Sequence, residues 1–283
     1  MLKKSAAILT SALTLFGSTI LVTDSAHAST LERNSETASA DRARVKQQRI
    51  NETIAAYAGL HPNDYIGLDE VAQAAGSDPL AFAVTGSSET VGAAEAQKLS
   101  TSSDTITTLT TIPGDAFKVT GYWSRVSDSD GLSLSWFANW DFKTNYRKGG
   151  NPYDGFGLAV KDLTSSCWTR EGDGIWAYSD LNVNQSHRAW LKTADFDSSV
   201  FEVQDSSGAD YVDHGGAWMA FHARKNCSGY GYGKAYFEHN IEGCKCGWSA
   251  SINTGVFTLS YTGSDKPSPP LQKSTSLTKV SLN

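Results

Sequence analysis

At 283 residues and a formal net charge of −6, the chain has room for one large domain or two modest ones. It lacks the basic footprint that binding to a phosphate backbone or to an anionic membrane surface requires. Nucleic acid and polybasic membrane contact are thereby excluded as its main business, and the surplus of acid is that of a soluble protein.

The N-terminus has the three parts of an export signal. Lys3 and Lys4 supply a positive start, Ala6 to Val22 is an apolar run, and Ala26-His-Ala28 offers a small-residue cleavage site. A membrane span would want about 20 predominantly apolar residues, and Thr10, Ser11, Thr14, Gly17, Ser18 and Thr19 break this run up. Residues 1–28 therefore read as a signal peptide and the mature chain as secreted and extracellular, with no later stretch of spanning length. Their removal takes away Lys3, Lys4 and Asp24, so the charge moves from −6 to −7.

Residues 29–100 contain no Trp and no Cys and are rich in Ala, Glu, Gln and Ser. Ser39 to Tyr57 predicts a helix with a thin apolar stripe at Val45, Ile50, Ile54 and Tyr57, closed by Gly59 and Pro62. Leu68 to Ala75 predicts a second helix ended by Gly76, and Ser77-Asp78-Pro79 reads as the start of a third. The Ser/Thr-rich stretch over 99–112 reads as an edge strand or an extended linker, and a linker is placed at 101–114.

From Asp115 the composition turns aromatic and Gly-rich. Phe117 to Val126 predicts a strand, and Ser127-Asp-Ser-Asp-Gly131 the turn of a hairpin. The strand that follows, Leu132-Ser-Leu-Ser-Trp-Phe-Ala-Asn-Trp-Asp-Phe-Lys143, places Leu132, Leu134, Trp136, Ala138, Trp140 and Phe142 on one face. Ser133, Ser135, Asn139 and Asp141 fall on the other, where Phe137 is the one large apolar residue. Two tryptophans and a phenylalanine on one face demand a second layer. Tyr146 to Asp154 reads as a loop and Phe156 to Val160 as strand. Further strands are expected at 175–178, 189–193, 200–204, 217–223, 235–239, 248–252 and 256–261, and 264–283 reads as a C-terminal tail. Short strands at this spacing predict a mainly β fold, an antiparallel β-sandwich of jelly-roll-like form over residues 115–263, with a helical N-terminal segment.

Cys167, Cys227, Cys244 and Cys246 are an even number in an exported chain, which predicts two disulfides. A Cys244–Cys246 bridge would close a tiny ring, so the preferred arrangement pairs Cys167 and Cys227 each with one member of that unit. The rival is a metal site in which Cys244 and Cys246 join Cys227 and His222 or His239, but zinc usually spaces its paired cysteines by two or more residues. No metal and no cofactor is expected. Asp128 and Asp130 imitate the start of a calcium loop, with Asp154 as a further donor, yet the glutamate an EF-hand needs is missing and turn chemistry accounts for them.

Among catalytic candidates, Asp213-His214-Gly-Gly216 offers an acid beside an imidazole that could act as base, although neighbours in sequence seldom face each other. Asp195, Asp197, Glu202 and Asp205 cluster about one strand and read as a solvated acidic face rather than a glycosidase pair. Nucleophile-elbow, zinc-helix and trypsin-like signatures are absent. Eight Trp and eleven Tyr exceed what a core of this size needs. Tyr146, Tyr153, Tyr230 and Tyr232 fall in Gly/Asn-rich loops, the last two in Ser228-Gly-Tyr-Gly-Tyr-Gly-Lys234 beside Lys234, and such exposed side chains suit flat stacking on sugars or adhesive protein contacts.

The pieces Ser166-Cys-Trp168, Tyr236-Phe-Glu-His-Asn240, Ser260-Tyr-Thr-Gly263 and Leu271-Gln-Lys-Ser-Thr275 resemble uncharacterised secreted β-domain proteins of actinobacteria. That resemblance implies export and a compact β domain and transfers no activity. The expected function is an extracellular binding module for a carbohydrate or a surface protein, acting through Tyr146, Tyr153, Tyr230, Tyr232 and Lys234. One alternative is a pro-protein from which 29–100 is cut to release a hydrolase or toxin; another is a structural envelope protein.

Overall fold

In a computed structural model, the described residues are 25–83, 90–101, 117–142, 153–179, 181–204, 206–207, 210–224, 228–239, 247–253, 256–262, 271–275 and 277–282. The chain divides into two compact units, Met1–Ala38 and Ser39–Asn283. Of the first, residues 25–38 are helical, and the expected signal peptide falls mostly outside the described residues.

The elements run α1 (Ser25–Leu60), α2 (Tyr65–Ala75), β1 (Ala81–Ala83), β2 (Thr90–Val91), α3 (Ala93–Thr101), β3 (Phe117–Asp128) and β4 (Gly131–Phe142). Then follow β5 (Tyr153–Lys161), β6 (Trp168–Tyr178), β7 (Ala189–Ala194), β8 (Ser198–Gln204), β9 (Ser206–Ser207), β10 (Asp210–Tyr211) and β11 (His214–Ala223). The last are β12 (Tyr230–His239), β13 (Gly247–Asn253), β14 (Val256–Thr262), β15 (Leu271–Ser274) and β16 (Thr278–Ser281). Sheet A is ordered β2-β1-β3-β4-β11-β6 and sheet B β15-β12-β5-β8-β7, with β16 also paired to β12. The ladders named in both sheets are antiparallel, so the fold is mainly antiparallel β in two sheets with a helical N-terminal segment.

β4 lies between β3 and β11 and its alternation builds two cores, one on each face. Leu134, Trp136, Ala138, Trp140 and Phe142 enter the core between the sheets, where they meet Phe156, Leu158, Phe201 and Phe237. Phe137, on the other face, is fully buried in a second core with Tyr122, Trp176 and Trp218 from sheet A and Ile50, Ile54, Tyr65 and Leu68 from the helices. The helical segment therefore covers the outer face of sheet A as a third layer.

Several sequence expectations need adjustment. The buried stripe of α1 includes Ala43, Gln47, Ile50, Asn51, Ile54 and Ala58, whereas Val45 is 57% exposed. The sheet offers serines at this point, and the helix answers with amide: Gln47 Nε2 donates to Ser135 Oγ at 2.7 Å and to Asn51 Oδ1 at 2.9 Å. α2 ends at Gly76, at φ 103, as expected, but it starts earlier than Leu68, at Tyr65, behind Asp64, which accepts from the Gly67 amide. The helix expected to start at Pro79 is instead β1. The Asp78 amide bonds the Arg125 carbonyl at 2.7 Å, and Phe82 packs on Tyr65 and Tyr122, so edge pairing with β3 overrides the local helix signal. The third helix begins later, at Ala93. The stretch expected as linker or edge strand at 99–112 lies mostly outside the described residues.

The C-terminal tail is likewise part of sheet B. β15 and β16 both pair with β12, Val280 and Leu282 enter the inter-sheet core, and Trp123 Nε1 donates to the Thr278 carbonyl at 3.1 Å. The β body thus draws in residues on both sides of the expected 115–263.

Candidate functional site

β12 carries Tyr230, Tyr232 and Lys234, three of the five expected binding residues. The expected loop Ser228-Gly-Tyr-Gly-Tyr-Gly-Lys234 is mostly strand, and its alternation has a packing cause. Gly231, Gly233, Ala235 and Phe237 point inward; a Cβ on Gly233 would overlap the Trp136 indole, and one on Gly231 would press on Leu163 and Val280. Tyr230, Tyr232, Lys234, Tyr236 and Glu238 consequently share the outer face. The Gly-Tyr alternation was itself the signal, a period of two with small residues inside.

Cross-strand register fills in the rest of that face. Tyr232 stands directly opposite Lys161 of β5 and directly opposite Lys279 of β16. Further along, Tyr236 faces Gly157 and Glu238 faces Gly155, and β8 contributes Val200 and Glu202 beyond those glycines. At that end Ala159, Val200, Glu202 and Glu238 are all buried, and the β13–β14 hairpin runs against β5, β8 and β12. Glu202 accepts from Trp190 Nε1 at 3.1 Å and pairs with Lys192 at 3.2 Å. Burial, and then the charge of Glu238, push the Tyr236 hydroxyl above the usual tyrosine range. The opposite end is open: Tyr230 is 49% exposed, Lys161 and Lys279 are exposed, and Tyr232 and Lys234 are half-buried. Lys279 Nζ sits 3.5 Å from the Tyr230 ring centroid, a cation–π contact.

The expected binding residues are therefore not one cluster. Tyr230, Tyr232 and Lys234 are neighbours on β12. Tyr153 opens β5, where its ring meets Trp190 edge-on at 5.0 Å. By register it lies about ten residues, roughly 34 Å, along the sheet from Tyr230. Tyr146 lies outside the described residues.

The other candidates occupy structural positions. His214 is buried, its Nε2 2.8 Å from the Gly59 carbonyl and its ring stacked on Tyr178, so it fastens the end of α1 to sheet A. Asp213 is buried beside it, its amide bonded to the Tyr178 carbonyl. Nearby, Asn63, at φ 68, donates to Asp141 at 2.6 Å and Tyr65 meets Thr120 at 2.9 Å, which completes a polar seam between the α1–α2 loop and sheet A. His222 pairs with Ser133 across the β4–β11 ladder at 3.0 Å.

Asp128 and Asp130, the calcium candidates, hold cations of the protein itself. Asp128 pairs with Lys46; Asp130 accepts from Arg42 at 2.9 Å and from Ser39 at 2.8 Å. These bonds, from Lys46 to the first and from Arg42 and Ser39 to the second, keep both carboxyls below the usual range. Asp154 is buried on β5, and no group of three or more His, Cys, Asp or Glu able to hold a metal occurs among the described residues. Asp195 and Asp197 flank the β7–β8 turn and do not converge with Glu202; Asp205 lies outside the described residues. Cys167 is no free thiol, and its carbonyl accepts the Arg224 amide at 2.8 Å; Cys227, Cys244 and Cys246 lie outside the described residues. Among the described residues no helix is long and apolar enough to cross a membrane.

No protein-family model and no curated protein matches the chain. Solved structures similar to it include parts of bacterial adhesins and a pilin, and also AvmM, which catalyzes macrocyclization in alchivemycin A biosynthesis. A structure concerned with adhesion of Streptococcus parasanguinis by Fap1 fimbriae is 12% identical, with 56% of this chain and 79% of that one covered at a TM-score of 0.29. The collagen-binding domain of a Staphylococcus aureus adhesin is 8% identical, with 54% and 95% covered at 0.26. The major pilin subunit of Bacillus cereus is 5% identical, with 51% and 50% covered at 0.28. Likenesses of this size carry no functional argument.

Proposed function

We propose that the protein is a secreted binding module that holds a carbohydrate or a surface protein on the open end of the outer face of sheet B. The observation that carries this reading is the set Tyr230, Tyr232 and Lys234, projected from one strand and exposed or half-buried. Rigid aromatic faces on a packed sheet bind with little ordering cost. Export rests on the signal-like N-terminus, and the even cysteine count then points to disulfides. The two bridges expected from that count would each contribute about 3–4 kcal/mol.

Retention of the purified protein on insoluble glycans and on bacterial or host surface preparations tests the reading. The Tyr230→Ala/Tyr232→Ala variant should lose about tenfold or more in affinity, in the range of hot-spot aromatics, while keeping the wild-type thermal midpoint. Equal retention of the variant, or no retention of the wild type on any of these surfaces, would overturn it.

A further inference from the structure

The open end of sheet B's outer face gathers three lysines that form no ion pair among the described residues. Lys161 on β5, Lys234 on β12 and Lys279 on β16 surround Tyr232, two of them directly opposite it. The whole chain carries −6, and several of its other described lysines and arginines pair with carboxylates, as at Lys46, Arg42, Arg125, Arg170 and Lys192. Among the described residues none of these three lysines has such an ion pair. Asp162 follows Lys161 at φ 67 and forms none with them either. Strands two apart lie about 9.6 Å from each other, so the two flanking ammonium groups act on one ligand across the width of a single tyrosine.

Like charges gathered on one face repel each other and are relieved by an anion. Lysine serves as a compact point charge for such groups. The cation–π contact of Lys279 with Tyr230 holds one ammonium over the aromatic row, and the Tyr232 ring supplies a flat surface between charges.

Building on the binding reading above, we propose that this patch recognises an anionic polysaccharide, one sugar face lying on Tyr232 and its carboxylate or sulfate groups meeting Lys161, Lys234 and Lys279. Carboxylated and sulfated polymers share this chemistry, and the test separates them.

Full-length secreted protein is titrated with polygalacturonate, dextran sulfate and neutral dextran at low and physiological ionic strength, alongside Lys161→Gln/Lys279→Gln and Tyr232→Ala. The wild type should bind at least one of the charged polymers about tenfold or more tighter than dextran, and added salt should weaken that binding by screening. The double lysine variant should lose most of this preference, and both lysines are exposed, so their replacement leaves folding intact. Which charged polymer binds identifies the anionic group. Unchanged binding by the lysine variant, or a single-stranded oligonucleotide bound as tightly as either polymer, would overturn the charge assignment. Neutral dextran bound equally well, with loss on Tyr232→Ala, would overturn this inference while leaving the broader binding reading standing. Retention on surface preparations with no polymer bound would do the same.

Discussion

Trp136 is held between two glycines of opposite sheets: a Cβ on Gly121 of β3 or on Gly233 of β12 would overlap its indole. Its Nε1 donates to the Lys234 carbonyl at 3.2 Å, so one buried ring bonds sheet A to the strand that carries the tyrosines. Because the indole lies against a glycine of each sheet and is fully buried, it has little room to retreat from an added methyl. Gly233→Ala should therefore destabilise the protein by about 1–3 kcal/mol, the usual cost of overpacking. Gly92→Ala, where a Cβ meets nothing within 4 Å, serves as control. An unchanged denaturant midpoint for Gly233→Ala would contradict this packing. At this scale the sequence was informative about Trp136, because strict alternation along 132–142 marks an inward face. At Gly233 it was ambiguous: the period of two in Gly-Tyr-Gly-Tyr is legible, but glycine suits a loop as well as a strand until a tryptophan from another sheet is known to need the space. The setting of His214 was hidden for a related reason. Its neighbour Asp213 suggested a catalytic pair, but what fixes the imidazole is the Gly59 carbonyl, 155 residues away in sequence.

The β3–β4 hairpin and α1 are tied by a charged clamp, Asp128 to Lys46 and Asp130 to Arg42 and Ser39. Both carboxyls titrate below their usual range in the folded protein. A depressed folded pKa contributes stability that is complete above the unfolded value, about 3.9. It is lost as pH falls through the lower folded value. Amide exchange along the 39–50 part of α1 should thus be slow at pH about 5 and quicken as the clamp protonates below about pH 4. Asp128→Asn/Asp130→Asn should already exchange faster at the higher pH and show a flatter profile. Identical profiles for variant and wild type would contradict a role for the clamp. The elements themselves were legible where one face was apolar, as in β4 and β11, or where a cap was explicit, as at Gly76. They were missed where partners decide. β1 owes its form to the edge of β3, while β15 and β16 are four-residue strands behind a proline-rich stretch whose only reason to be extended is β12.

The unit Ser39–Asn283 is layered: helices, sheet A, sheet B, with one strand, β4, feeding both interfaces. Residues 39–101 are not an appendage to this arrangement. They bury Phe137, Trp218 and Tyr122 and add β1 and β2 to the edge of sheet A, so cutting them away would expose an aromatic core that soluble proteins do not leave open. We propose on this ground that the working protein retains its helical layer rather than shedding it as a propeptide. The absence of Trp and Cys from 29–100 suggested a separable segment. What the composition could not show is that the apolar residues it does contain, Ile50, Ile54, Leu68 and Phe82, answer an aromatic face far along the chain. The most direct test is the intact mass of the protein recovered from culture medium. A mass corresponding to a chain beginning at Ser29, with residues 39–101 retained, is the predicted result. A chain beginning between residues 102 and 116 that remains folded and soluble would contradict the account and turn attention to an enzyme or toxin released by that cut.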